Sequence, residues 1–442
     1  MKFKTALMAL TLWSVDLFFC LCNMFVTSEQ TSSLLRVFSA GMAAIIVLLF
    51  FFRKSLSFSE LRVLLFPLII LCVMLFIFLL NGDNDLAKSD LLYFLCYAIP
   101  MTLLATVCYK NDTTLHAGEF ADLLLILFDL YFIFIAKNGL FTDVSVRELQ
   151  EETNIGYQST SYFGAYAFGI SLYALLFQTK KTYKPGIKPL LVIFRGGTLL
   201  FSIIVAIYGS GKGAMLLMIA LAVLLFAFFL RGKKKVGALV GIIVGALAIF
   251  FIVSRFVRSS SALSSSFERI YSLLGTGNVA YETTSGRTTI YDRCWNLFLD
   301  SPIIGYGVTG GYYRDSGLPH QMFLHIMLDG GTIYLIVWIA ILITSIRKFA
   351  QIMKMDPENR KGYIFLALVF VAQILPLQFS SSYLQAYSLW FLIAYTDLRY
   401  QFVYAPIAAE ARRRRMERQF SAITPRPAAQ AEGAAPKPNE YF

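Results

Sequence analysis

Charge is scarce in this chain. Asp, Glu, Lys and Arg make up 15% of its 442 residues, too little to cover soluble domains of that total size. Histidine is scarcer still, with three in the whole chain, and no HExxH spacing joins any two into a metal motif. The six cysteines form no CxxC pair. Cys20, Cys22, Cys72, Cys96 and Cys108 fall in or beside apolar runs, leaving Cys294 alone in polar sequence, so neither a zinc module nor a disulfide framework is indicated. No tandem repeat is visible, which counts against a transporter built from inverted repeats.

Apolar sequence fills the space. Hydrophobic residues reach 57% and the mean hydropathy is +0.64. Apolar runs of about 17–25 residues, each long enough to cross a bilayer as a helix, recur along almost the whole length. Twelve are readable, at 5–26, 36–52, 63–81, 90–108, 119–136, 160–178, 190–208, 213–230, 236–254, 320–346, 362–380 and 383–404. The fold class expected is an all-α integral membrane protein of about 12 transmembrane helices. Its first run follows Lys2 and Lys4, lacks a small-residue cleavage site and carries Asp16, so it reads as an uncleaved span.

The net charge of +12 follows from orientation. With the N-terminus inside, 27 of the 39 Lys and Arg fall on inward segments, as the positive-inside rule requires. Both termini are then expected in the cytoplasm, and nucleic acid is not needed as a partner. Four regions follow: nine spans over 1–254, a large extracytoplasmic loop over 255–319, three spans over 320–404, and a basic, Pro/Ala-rich disordered tail over 405–442. In the tail, Arg412 to Arg415 and Arg418 suit anionic lipid headgroups.

The long loop carries two amphipathic stretches. Phe267, Ile270, Tyr271 and Leu274 recur at helical spacing, as do Ile290, Tyr291, Trp295 and Phe298. Thr284 or Ser285 is placed to cap the second helix, and Pro302 to stop it. Gly305, Gly307, Gly310 and Gly311 then make a turn rich in tyrosine.

Few residues are candidates for chemistry. His116 lies in a short inward loop. His320 stands at the mouth of the tenth span, and His325, about 140° further round the helix, does not share its face. Lys212 lies in the turn Tyr208-Gly209-Ser210-Gly211-Lys212-Gly213, which lacks the spacing of a nucleotide-binding loop but can offer backbone N–H groups and an ammonium to a phosphate. Within spans, Asp16, Asp122, Asp129 and Arg195 are candidates for a buried ionic path, because a charge in the bilayer is costly.

Residues 285–335 resemble the signature region of the O-antigen polymerase and O-antigen ligase family of membrane glycosyltransferases. The resemblance rests on Gly286-Arg287, a helix bearing Trp295, and Asp300-Ser301-Pro302-Ile303-Ile304-Gly305-Tyr306-Gly307. It continues with His320-Gln321-Met322-Phe323-Leu324 and Asp329-Gly330-Gly331. Gln321 stands where the family usually has Asn. Lys212 stands where it has an arginine, keeping the charge and losing the bidentate fork.

The resemblance implies a bacterial inner-membrane enzyme without cofactor or metal, acting on a polyprenyl diphosphate-linked oligosaccharide donor and a glycan acceptor among membrane lipids. A chain-length regulator is a further candidate partner. It implies His320 and Arg287 as catalytic residues, Arg287 and Lys212 as ligands of the donor diphosphate, and Tyr291, Trp295 and Tyr306 as glycan contacts, with Tyr312 and Tyr313 beside them. The function expected is polymerisation of lipid-linked repeat units into a surface polysaccharide. A ligase moving glycan to lipid A-core or protein uses the same chemistry. A transporter or flippase of lipid-linked sugars is the reading from another class.

Overall fold

The computed structural model describes residues 2–26, 28–52, 57–81, 85–152, 156–178, 186–230, 287–309, 319–380 and 382–423, with loop residues 255, 260, 261, 263, 264 and 266. Among the described residues the regular structure is helical throughout. The helices are α1 (Lys2–Leu12), α2 (Ser14–Phe25), α3 (Ser28–Phe51), α4 (Leu65–Asn81), α5 (Asp85–Cys108), α6 (Ala121–Ile135), α7 (Val146–Glu152) and α8 (Tyr157–Phe177). They continue as α9 (Ile187–Tyr208), α10 (Lys212–Phe229), α11 (Arg287–Asp300), α12 (Met322–Met355), α13 (Arg360–Ile374), α14 (Tyr387–Arg399) and α15 (Ala405–Ile423).

Among the described residues, seven helices are long and apolar enough to cross a membrane, or eight if the bent pair α1–α2 is one span. The bundle is multi-pass and helical as expected, the described residues do not confirm the count of about twelve, and where the two readings differ the reasons are local. The expected span at 119–136 is a 15-residue α-helix flanked by a 3₁₀ turn (Ala117–Phe120) and a π turn (Ala136–Leu140). That at 383–404 is likewise divided among a 3₁₀ turn, the 13-residue α14 and a π turn. That at 63–81 starts in a 3₁₀ turn, and 236–254 lies outside the described residues.

The first span breaks at Trp13, where φ −121° and ψ 11° leave helical geometry and the two halves meet at 69°. The freed carbonyl of Leu12 accepts from Ser388 Oγ at 2.6 Å and from the Tyr387 hydroxyl at 3.0 Å. Without such partners a carbonyl at membrane depth would cost several kcal/mol (~2–7).

Helices α8 and α14 are buried on nearly every face, as their apolar all-round composition requires, and form the core. Around α8 pack α9 and α10, and α5 packs on both α14 and α3. Helix α3 keeps most of its hydrophobic surface exposed, in keeping with contact with lipid tails. One end of this bundle carries α11, His320 and the start of α10, and is called the loop end below.

Candidate functional site

The signature residues 300–309 and 328–332 form a single joint. Helix α12 is interrupted at Gly330 (φ −139°, ψ 15°) and Gly331 (φ 68°, ψ −166°), so its backbone groups there lose their helical partners. The turn after α11 supplies new ones. Tyr306 N donates to Leu328 O at 2.7 Å, Gly307 N to Asp329 O at 2.8 Å, and Thr332 N to Pro302 O at 2.8 Å. The contact is backbone on backbone: a Cβ on Gly331 would collide with the Ile303 carbonyl, and one on Gly305 would come within 2.5 Å of Leu328 O. Buried Asp329 locks the joint, accepting from Thr309 N at 3.0 Å and from the Tyr383 hydroxyl at 2.7 Å.

The joint fixes α11 against α12. Helix α11 spans Arg287–Asp300 and stops before Pro302. Its buried face runs through Cys294 and Phe298 onto Tyr306 and Leu328, with Ile290 and Leu297 beside them. Trp295 is half exposed, so it lies off the face on which sequence periodicity put it. Tyr306 is buried and donates to Leu297 O at 2.7 Å, which gives it a packing task in the turn. Tyr291, at the rim, is partly exposed, and burial pushes its hydroxyl pKa up. The stretch Phe267–Leu274, Gly286, Gly310, Gly311, Tyr312 and Tyr313 lie outside the described residues.

Arg287 opens α11, and its charge is felt at His320. Burial pushes the His320 imidazole pKa below its ordinary value and the Arg287 guanidinium pushes it the same way, while the Ser380 backbone opposes them. His320 is therefore neutral near pH 7. Its Nδ1 is buried with no hydrogen-bond partner among the described residues. The residue sits at φ 51°, a left-handed conformation that a non-glycine side chain adopts at some cost. Gln321 follows as the N-cap of α12, its Oε1 accepting from Leu324 N at 2.6 Å and its Nε2 donating to Gln378 at 3.2 Å. An amide is the chemistry needed there, which makes Gln an acceptable replacement for Asn.

Lys212 opens α10 at the same end of the bundle. Its turn is tied down by Ser161, whose Oγ accepts from Gly211 N at 2.7 Å and donates to Ala206 O at 2.8 Å. Gly213 packs directly on the Tyr162 hydroxyl and on Phe379. Tyr162 in turn lies near Ser380 and in the field of Arg287. Tyr162 and Ser380 thus lie between the turn that carries Lys212 and the segment that carries His320. Nothing in the sequence singles them out, since one is an aromatic among many and the other a serine in a short connection.

Of the charges expected to form a buried path, Arg195 pairs with Asp122, while Asp16 and Asp129 stand apart from them among the described residues. Arg195 and Asp122 make a bidentate pair, Nε to Oδ1 at 2.7 Å and Nη2 to Oδ2 at 2.8 Å, at the end of the bundle away from the loop. Asp129 accepts from Thr198 Oγ1 at 2.5 Å, and Asp16 accepts from the Tyr387 hydroxyl at 2.9 Å.

Comparison with known proteins agrees with the signature. The family model described as O-antigen ligase matches residues 196–339. The matched segment holds Lys212, Arg287, His320 and both halves of the joint. No curated protein matches the chain significantly.

Proposed function

From a chain that carries an O-antigen ligase family domain over residues 196–339, in a family of glycan-transferring membrane enzymes, we propose a glycosyltransferase fed by a polyprenyl diphosphate-linked donor. The acceptor hydroxyl attacks the anomeric carbon of the donor sugar. Its proton passes to neutral His320 as the new C–O bond forms, and the bond to the diphosphate oxygen breaks with its electron pair on that oxygen. Arg287 stabilises the departing anion by charge-assisted hydrogen bonds, and Lys212 adds a second positive charge. A single displacement of this kind inverts the anomeric centre. Tyr291 and half-exposed Trp295 offer ring faces at the rim for sugars of the donor.

The observation that carries this reading is the family match over residues 196–339, which takes in Lys212, Arg287 and His320 at one end of an apolar bundle, where a lipid tail can lie among helices while its headgroup meets the cations. The loop end then faces outward, both termini lie in the cytoplasm, and the tail after 405 rests on the inner leaflet, as the charge distribution favours. The acceptor is a second lipid-linked repeat unit, which makes the enzyme a polymerase of surface polysaccharide. The description of the matching family favours a ligase as the second reading.

Purified full-length protein given undecaprenyl diphosphate-linked oligosaccharide in liposomes separates these. Longer glycan on the carrier supports the polymerase, and transfer only to added lipid A-core supports the ligase. Full transfer by both His320→Ala and Arg287→Ala overturns the reading. Carrier-linked sugar moved across the bilayer by His320→Ala would make the chain a flippase.

A further inference from the structure

A cavity of about 240 Å³ lies inside the loop-end half of the bundle, against the break in the first span. Asp16, Tyr93, Tyr97, Tyr166, Gln373 and Tyr387 form its polar wall. Three features mark it as a ligand site. First, a broken helix at membrane depth is tolerated where it is buried in protein or lines a cavity, and the α1–α2 break does both. Second, Asp16 stands in the first turn of α2, partly accessible, with the neutral partners Tyr387 (2.9 Å) and Gln373 (3.5 Å) and no ion pair among the described residues. An intramembrane carboxylate without a counter-cation needs a reason. Third, the Tyr93 and Tyr166 hydroxyls make no hydrogen bond among the described residues, although their rings are held by stacking on Tyr97 and packing on Trp13.

The chemistry of the wall selects the occupant. Aromatic faces, hydroxyls, an amide and a carboxylate suit a neutral polyol. A lipid tail fits better in the cavity of about 320 Å³ among Leu224, Phe228, Phe349 and Phe370, whose lining is almost wholly apolar. A diphosphate would be repelled by Asp16. At about 240 Å³ the space falls just below typical small-ligand sites (~300–1,000 Å³), which suits a short piece of glycan. Tyr162 makes the connection to the chemistry, since it lines this cavity and its hydroxyl also sits closely against Gly213, beside Lys212.

We propose that this cavity is a carbohydrate subsite for the glycan acceptor, with sugar hydroxyls donating to Asp16 and a ring face on Tyr93 or Tyr166. The inference rests on the glycan-transfer reading and names which substrate goes where: the donor diphosphate on Arg287 and Lys212, the acceptor sugar on the Asp16 side.

The probe is the oligosaccharide released from the producing cell's own lipid carrier, offered as a free acceptor to the purified full chain beside intact lipid-linked donor. Asp16→Asn and Tyr93→Phe should each raise the half-saturating acceptor concentration roughly three- to tenfold while leaving that of the donor unchanged. Tyr93→Phe removes one hydroxyl that no described residue uses, so it serves if Asp16→Asn fails to fold. A photo-crosslinker replacing Leu35 on the cavity wall should capture sugar. Unchanged acceptor dependence in Tyr93→Phe, or adducts that carry only acyl chains, overturns the subsite. If His320→Ala abolishes transfer in the same assay, the function stands and the subsite alone falls. If His320→Ala and Arg287→Ala both transfer normally, the function itself is at fault.

Discussion

Arginine meets opposite treatment at the two ends of this bundle. Away from the loop, Arg195 gives two hydrogen bonds to Asp122 and others to Ala174 O and Gln178, and is almost fully buried. Arg399 does much the same with Asp112 (2.5 Å), Tyr363 (3.0 Å) and Tyr109 O (2.9 Å). Nearby, burial works against ionising Asp356, but hydrogen bonds from Tyr404, Asn359 and Tyr363 prevail and hold its carboxyl below the usual range. At the loop end, Arg287 has no ion pair among the described residues and has a neutral histidine and tyrosines for neighbours. A cation neutralised by the fold is scaffold. On the proposed function, the cation at the loop end is the one that takes the donor's diphosphate.

That contrast can be broken by substitution. The largest effect expected is from His320→Ala, which should lower transfer by roughly two to four orders of magnitude with thermal stability in detergent unchanged. Arg287→Ala should follow at roughly two to three orders, again without loss of fold. Gly331→Ala strikes the joint between their two helices. It should lower transfer about a hundredfold by displacing α11 against α12, and the stability measurement should register it too. Asp122→Asn strands a buried arginine at the other end. It should cost about 3 kcal/mol of stability while specific activity per folded molecule holds, and a second change, Arg195→Met, should recover most of the loss. A drop in specific activity there would end the distinction between the two ends.

The smallest effect is that of pH. In the proposed mechanism a neutral His320 is the base, and burial with Arg287 nearby lowers its pKa, so the charged form gains only below the ordinary histidine value near 6.5. Transfer should be flat around neutrality and fall about tenfold per pH unit below the shifted pKa. Arg287→Ala removes one cause of the shift and should move this acid limb upward. A limb that stays in place would show that another group governs it.

Much of the candidate site could be nominated from the sequence because its parts are chemically rare. With three histidines in the chain, one at a span mouth draws notice, and Gly-Arg before an amphipathic helix gives it a partner. The joint was legible only as a pattern. That Asp300–Gly307 and Asp329–Gly331 are two sides of one contact depends on backbone atoms meeting across the fold, which spacing along the chain does not encode. The pairing of Arg195 with Asp122 was hidden for the same reason, being a contact across 73 positions. Hydropathy and helix length part company where apolar composition continues through a change of helix type, as at 117–140, because hydropathy records transfer into lipid and is blind to hydrogen-bond register. The Trp13 break was invisible in hydropathy too, since Leu12 and Trp13 are both apolar.

That break also bears on how the protein is made. The carbonyl of Leu12 depends on Tyr387 and Ser388, residues at least 375 positions later. A nascent chain inserting from its N-terminus therefore carries a first span that the protein cannot complete until the last core helix arrives. Until then water, lipid headgroups or an insertion chaperone must serve in its place. Truncation before Tyr387 should leave a chain that is inserted yet unfinished at its very beginning, a natural target for membrane proteolysis.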